Sequence, residues 1–221
     1  MDGKSMSWND IGNHLSKLPE NSSAKISLNG KTTLPEAVIS AIKDRKLTVE
    51  FVYDSVKSWV VRGDKIGTVS AAEFAAFPGN ADSSALRGVF GVDLKVGGTN
   101  VPAELKLAFR KGFAGQFANV YKLNGGVLEF QRCVKVGADA TAVIPGADTA
   151  GEYVVMVCEF SDVPGDADND GVLRALDASA VLKEAVGMAK SANAAVCDFN
   201  GDGEVNALDA AAVLKAVVGV R

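Results

Sequence analysis

Apolar positions fall into two rhythms along this chain, and the change between them comes near residue 161. In residues 7–18, Trp8, Ile11, Leu15 and Leu18 recur at three- and four-residue steps, the spacing of one helix face. Pro35 opens a second such stretch, 35–45, at the N1 position that proline favours. Around these helices, runs rich in β-branched and aromatic residues predict strands at 24–28, 47–53, 58–61, 89–96, 105–109, 120–123, 127–136 and 153–160. Asn124-Gly125-Gly126 between two of them predicts a hairpin. The expected fold is α+β, with a β-sandwich-like sheet system and two helices packed on it. The segment Ser161-Asp162-Val163-Pro164-Gly165 then breaks any strand, and two Asp/Gly-rich loops follow, each leading into an Ala/Leu/Val helix. Two domains are expected, 1–160 and 161–221.

The C-terminal segment repeats itself. Residues 166–177, DADNDGVLRALD, align without a gap on residues 198–209, DFNGDGEVNALD. A hard divalent cation wants six to eight oxygens, and a twelve-residue loop supplies them from positions 1, 3, 5, 7, 9 and 12. In the first loop these are Asp166, Asp168, Asp170, the carbonyl of Val172, and Asp177. In the second they are Asp198, Asn200, Asp202, the carbonyl of Glu204, Asn206 and Asp209. Gly171 and Gly203 fall at position 6, where the chain must turn around the ion. Leu173 and Val205 at position 8 are apolar and suit a small core between the loops. One such loop is weak evidence, because a solvated turn has the same composition, but a second copy in register makes a two-ion calcium module the expectation. Arg174 stands at position 9 of the first loop and cannot coordinate a cation. The expectation is a water at that vertex beneath a swung-out Arg174, with both sites filled.

Position 12 is Asp in both loops, and no helix of EF-hand type enters either. This paired loop-then-helix pattern over about residues 163–221 resembles the dockerin family of cellulosomal and related proteins. The resemblance implies a small all-α dockerin of two F-hand repeats, two structural Ca2+ ions, and a cohesin module of a scaffoldin or cell-surface protein as partner. It also implies a secreted, extracellular or cell-surface setting, so Met1 is read as the start of a fragment. Carried over from the family, the recognition positions are Ala175, Leu176, Leu182 and Lys183, and in the second repeat Ala207, Leu208, Leu214 and Lys215. Helical spacing adds Ser179 and Ala211 to the same sides. On the other side Ala178, Val181 and Ala185, with Ala210, Val213 and Ala216 or Val217, are expected to form the core, and Gly187 and Gly219 to cap the helices. The two recognition sets match in type, which suggests docking in either of two orientations.

Charge and composition then exclude classes. The net charge is −4 and the basic residues are scattered, which argues against nucleic acid as partner. No apolar run reaches the roughly 20 residues of a membrane span, and the start MDGKSMSWND lacks the apolar core of a signal peptide. Cys133, Cys158 and Cys197 are too widely spaced for a zinc knuckle or a disulfide scaffold; Cys133 and Cys158 could pair across a sheet, but free thiols are expected.

The first module says less about its task. Leu28-Asn29-Gly30-Lys31-Thr32-Thr33-Leu34-Pro35, followed by 47–51 and 58–66, resembles an uncharacterised X-type β-rich module that occurs beside dockerins. No established activity comes with that resemblance, and a structural or accessory role beside the dockerin is the expectation. His14, the single histidine, has no partners at catalytic or metal spacing. Paired carboxylates could serve a glycosidase, yet Glu36, Glu50, Glu73, Asp93, Glu104 and Glu129 stand in no telling context, so catalysis is not expected. The alternative is a carbohydrate-binding module for plant cell-wall polysaccharide, with Trp8, Tyr53, Trp59 and Tyr121 as a sugar-stacking platform.

Overall fold

The structure, a computed structural model, describes residues 6–146 and 149–219. In chain order its helices and strands are α1 (Trp8–Leu15), β1 (Ser23–Ser27), β2 (Thr33–Leu34), α2 (Glu36–Asp44), β3 (Thr48–Val52), β4 (Lys57–Arg62), β5 (Ala72–Glu73), β6 (Ala76–Pro78), β7 (Phe90–Val96), β8 (Ala103–Ala108), β9 (Phe117–Asn124), β10 (Val127–Lys135), β11 (Thr141–Ile144), β12 (Gly151–Cys158), α3 (Ala175–Ala185) and α4 (Ala207–Val218). The α+β class agrees with the sequence. Two compact units emerge from the contacts. One comprises Met1–Ala81, Asp93–Ala114 and Gly137–Tyr153; the other comprises Asp82–Val92, Gly115–Val136 and Val154–Arg221. This division runs across residue 160, because β9, β10 and most of β12 group with the C-terminal loops and helices.

The first unit is built on a five-stranded sheet in the order β1-β3-β4-β8-β11. β1 lies parallel to β3, with Ser23 opposite Thr48, and the other pairs are antiparallel. Alternation puts Ile26, Val49, Phe51, Trp59, Leu105 and Leu107 on its buried face. Phe74 packs on Phe51 and Trp59, with ring centroids 5.9 and 5.7 Å apart. Ser7 caps α1 by accepting from the Asp10 N–H at 3.2 Å. Pro35 is the cap residue of α2 rather than its first helical residue, a one-residue shift from the sequence expectation. Val38, Ile39 and Ile42 of α2 are buried. Gly63, just past β4, comes so close to α2 that a Cβ there would lie 2.2 Å from the Ile42 carbonyl, so no other residue fits. β6 pairs with the end of β7, Ala76 opposite Val96.

In the second unit β9 and β10 form the expected hairpin, Asn124 opposite Val127, with Gly125 and Gly126 at φ 57° and 87°. The ladder slips by one residue between Phe130 and Arg132, a bulge. β12 runs beside β9. α3 and α4 share a small core of Ala167, Ala178, Val181, Cys197, Ala210 and Val213, on which Leu173, Ala180, Phe199 and Val205 pack. Leu173 and Val205 join this core as their loop position suggested. Ala216 and Val217 do not: both are exposed, because the core is complete within the first two turns of α4.

Candidate functional site

The aligned loops fold alike. Position 6 has φ 92° at Gly171 and 90° at Gly203, and position 4 is also left-handed, φ 62° at Asn169 and 76° at Gly201. Asn tolerates that conformation better than other side chains with a Cβ, so both loops can take the same turn.

The carboxylates fold the loops around themselves. Asp166 Oδ1 accepts from the Asp170 N–H at 3.0 Å and Oδ2 from Gly171 at 2.8 Å, while Asp198 Oδ2 accepts from Gly203 at 2.9 Å. At position 12, Asp177 Oδ1 accepts from the Asp168 N–H at 3.2 Å and Oδ2 from Arg174 at 2.7 Å. Asp209 does the same for Asn200 at 3.0 Å and Asn206 at 2.9 Å. Each position-12 Asp is thus the third helical residue of α3 or α4, closing the loop and holding the first turn in one contact. Burial works against ionised Asp209, but the N–H groups of Asn206, Asn200 and Phe199 outweigh it and hold its carboxyl below the usual range.

Asp166, Asp168 and Asp177 converge, with ligand oxygens within 4.8 Å of one another. Desolvation, then the neighbouring charges of Asp177, Asp170 and Asp166, push the Asp168 carboxyl above its ordinary value. Converging oxygens that repel one another are the donor chemistry a hard cation relieves. The second loop offers Asn200 at position 3, whose Nδ2 donates to Asp202 Oδ2 at 2.9 Å. Val172 and Glu204 supply the main chain at position 7; the Val172 N–H bonds Asp170 and the Glu204 N–H bonds Asp202, each at 2.9 Å. Asn206 caps α4, its Oδ1 accepting from Leu208 N–H at 2.8 Å. Arg174 has no acceptor to offer α3, and although its side chain is exposed, Nη1 turns back onto Asp170 Oδ2 at 2.7 Å.

The outer faces of the helices are open. Leu176 and Leu208 are 67% and 66% exposed, Leu182 and Leu214 43% and 45%. Ala175, Ser179, Lys183, Ala207, Ala211 and Lys215 are exposed beside them. Two leucine–lysine sets at matching positions of the two repeats form apolar surface that nothing in the described structure covers.

Residues 164–218 match the family model of the dockerin type I domain. This segment is a dockerin. Dockerins bind calcium and imply a cohesin partner in a cellulosome-type assembly. No curated protein matches the chain.

The dockerin is fastened to β9 and to the loop before β7, in its own unit, by polar contacts that carry no local signal in the sequence. Arg87 donates through Nε to Asp162 Oδ1 at 2.9 Å, through Nη1 to Asn193 Oδ1 at 3.2 Å and through Nη2 to the Ser161 carbonyl at 3.2 Å. Tyr121 Oη donates to Asp162 Oδ2. Burial, reinforced by that carboxylate, pushes the phenol well above its ordinary value. Asn119 of β9 accepts from the Asp162 N–H and donates to the Phe160 carbonyl, both at 2.9 Å. Asn169, at position 4 of the first loop, accepts from the Ser161 N–H at 2.9 Å and donates to the Glu159 carbonyl at 3.0 Å. Phe117 of β9 packs under Gly171, where a Cβ would lie 2.8 Å from its ring.

Elsewhere the expected candidates separate. Trp59 and Tyr121 are both buried, so neither offers a ring face to the four-aromatic platform. Sheet residues of a core face read the same as a stacking face in the sequence. Glu50 is paired with Lys25 at 3.1 Å and Lys106 at 3.2 Å, and Glu104 with Arg62 at 3.0 Å. Asp93 instead faces Glu152, a residue the sequence did not single out; both carboxylates hold the 79–81 turn, accepting from Ala81 and Asn80 N–H. Desolvation, together with Glu152, raises the Asp93 carboxyl. The cysteines are free; burial raises Cys133 to about 11 and also raises Cys197.

Proposed function

We propose that this protein uses its dockerin to bind a cohesin in a calcium-dependent manner, anchoring it in an extracellular cellulosome-type assembly. The observation that carries the reading is the pairing of two oxygen-rich loops, in register within the matched segment, with two exposed Leu–Lys surfaces. Asp166, Asp168, Asp170, Asp177 and the Val172 carbonyl would hold one ion, and Asp198, Asn200, Asp202, Asp209, the Glu204 carbonyl and Asn206 the second. Calcium supplies cross-linking of each loop to its helix. The chain's own contribution is to hold the position-12 carboxylates at the helix starts, so that ion binding and helix formation are one event. A module with a core this small depends on such help.

Leu176 and Leu208 would act as anchors and Lys183 and Lys215 as rim charges. Because the sets match, docking in two orientations is proposed. Replacing Leu176 and Lys183 by Ala should leave cohesin affinity within about threefold, whereas replacing Leu208 and Lys215 as well should reduce it by at least about a hundredfold; a large loss from the first pair alone would contradict symmetry.

The N-terminal module is proposed to be noncatalytic and accessory, a buttress for the dockerin. The contacts of Arg87, Asn119 and Tyr121 with residues 160–162 support this role, as does the grip of Asn169 on 159–161.

A further inference from the structure

Among their side-chain ligand positions the two loops differ at 3 and 9, Asp168 and Arg174 in the first against Asn200 and Asn206 in the second. In the second loop the position-5 oxygen, Asp202 Oδ2, is held by a neutral amide, Asn200 Nδ2, and position 9 is a neutral Asn206 turned to its helix. In the first loop every side-chain donor at positions 1, 3, 5 and 12 is an Asp, and Asp170 Oδ2 is held by the guanidinium of position 9. That guanidinium is the only cation paired to a loop carboxylate among the described residues. It neutralises part of the charge of a loop with four Asp side chains, so it stabilises the metal-free form.

We infer that Arg174 is an internal counter-cation of the first loop, making its calcium site the weaker of the two and the second to fill. The inference rests on the calcium reading above and extends it. A dication coordinated through Asp170 arrives beside the Arg174 guanidinium that already pairs with Asp170 Oδ2. An ion pair this exposed contributes little by itself, so the like-charge repulsion adds to it, and together they weaken the first site by about tenfold, within a factor of about three. The order of filling has a structural consequence. The second repeat is completed at low calcium, while the first loop, whose Asn169 binds residues 159 and 161, is completed at higher calcium. The dockerin therefore responds to calcium in two stages.

The test is a calcium titration of the full chain by 1H–15N NMR, following the position-6 amides of Gly171 and Gly203 as separate reporters, for the wild type, Arg174→Gln and Arg174→Lys. Gln removes the charge without adding a helix cap, and Lys keeps it. The expected result is that Gly203 responds before Gly171 in the wild type. Arg174→Gln should move the Gly171 response to about tenfold lower calcium and leave Gly203 in place, with Arg174→Lys close to the wild type. Gly171 responding at or below the calcium level of Gly203 in the wild type, or an Arg174→Gln response unchanged or weaker, overturns the inference. A chain in which neither glycine responds overturns the calcium reading itself.

Discussion

Arg87→Ala tests whether the loop before β7 helps to hold the dockerin in place. Arg87 makes charge-assisted bonds to Asp162, whose side chain is only 13% exposed, and further bonds to Asn193 and the Ser161 carbonyl. Bonds to charged groups contribute about 1.5–3 kcal/mol each when desolvated, and breaking a buried ion pair costs about 3–5 kcal/mol. Arg87 is 35% exposed, so water compensates part of that loss, and Tyr121 remains to bond Asp162. The expected destabilisation is about 2 kcal/mol. Urea unfolding of the full chain in saturating calcium, followed by far-ultraviolet circular dichroism, reads it, and a double-mutant cycle with Asp162→Asn should give a coupling of about 1–2 kcal/mol. A loss and a coupling both below about 0.5 kcal/mol would mean that the pair behaves as an ordinary surface ion pair and that Arg87 does not buttress the dockerin.

Two further outcomes follow from the same geometry. Calorimetry should find two calcium ions per chain; one ion would remove the first loop from the account. The raised carboxyl of Asp93 means that the folded state binds protons more readily than the unfolded state, so this residue's contribution favours folding at low pH and is lost as pH rises through its folded value. Asp93→Asn should therefore raise the melting temperature at pH 7 and flatten the pH dependence of stability near the acid end; an unchanged or lower melting temperature at pH 7 would show that burial of the Asp93 carboxylate does not destabilise the fold.

The dockerin was legible because its chemistry is local. Positions 1, 3, 5, 6 and 12 recur within twelve residues and then again, and the helices that follow carry their own apolar spacing. Even the left-handed turn at position 4 has a signal, Asn169 in one loop matching Gly201 in the other. What stayed hidden is long-range or short. β2, β5 and β11 span two to four residues, too few for a period to emerge, and β6 ends on Pro78. Arg87, Asn119 and Tyr121 meet at Asp162 from distant parts of the chain, Asn193 joins them through Arg87, and no spacing rule connects them. Trp59 was ambiguous for another reason: an aromatic on a strand reads the same whether its face meets Phe74 or a sugar.

Calcium-dependent capture by a cohesin tests the central claim most directly. The full chain would be passed over a panel of immobilised cohesins in calcium and again in excess chelator, with calcium restored afterwards. The account predicts that at least one cohesin binds in calcium, that chelation abolishes binding, and that restored calcium recovers it. Binding that persists in chelator, or no binding to any cohesin with both loops loaded, would contradict it.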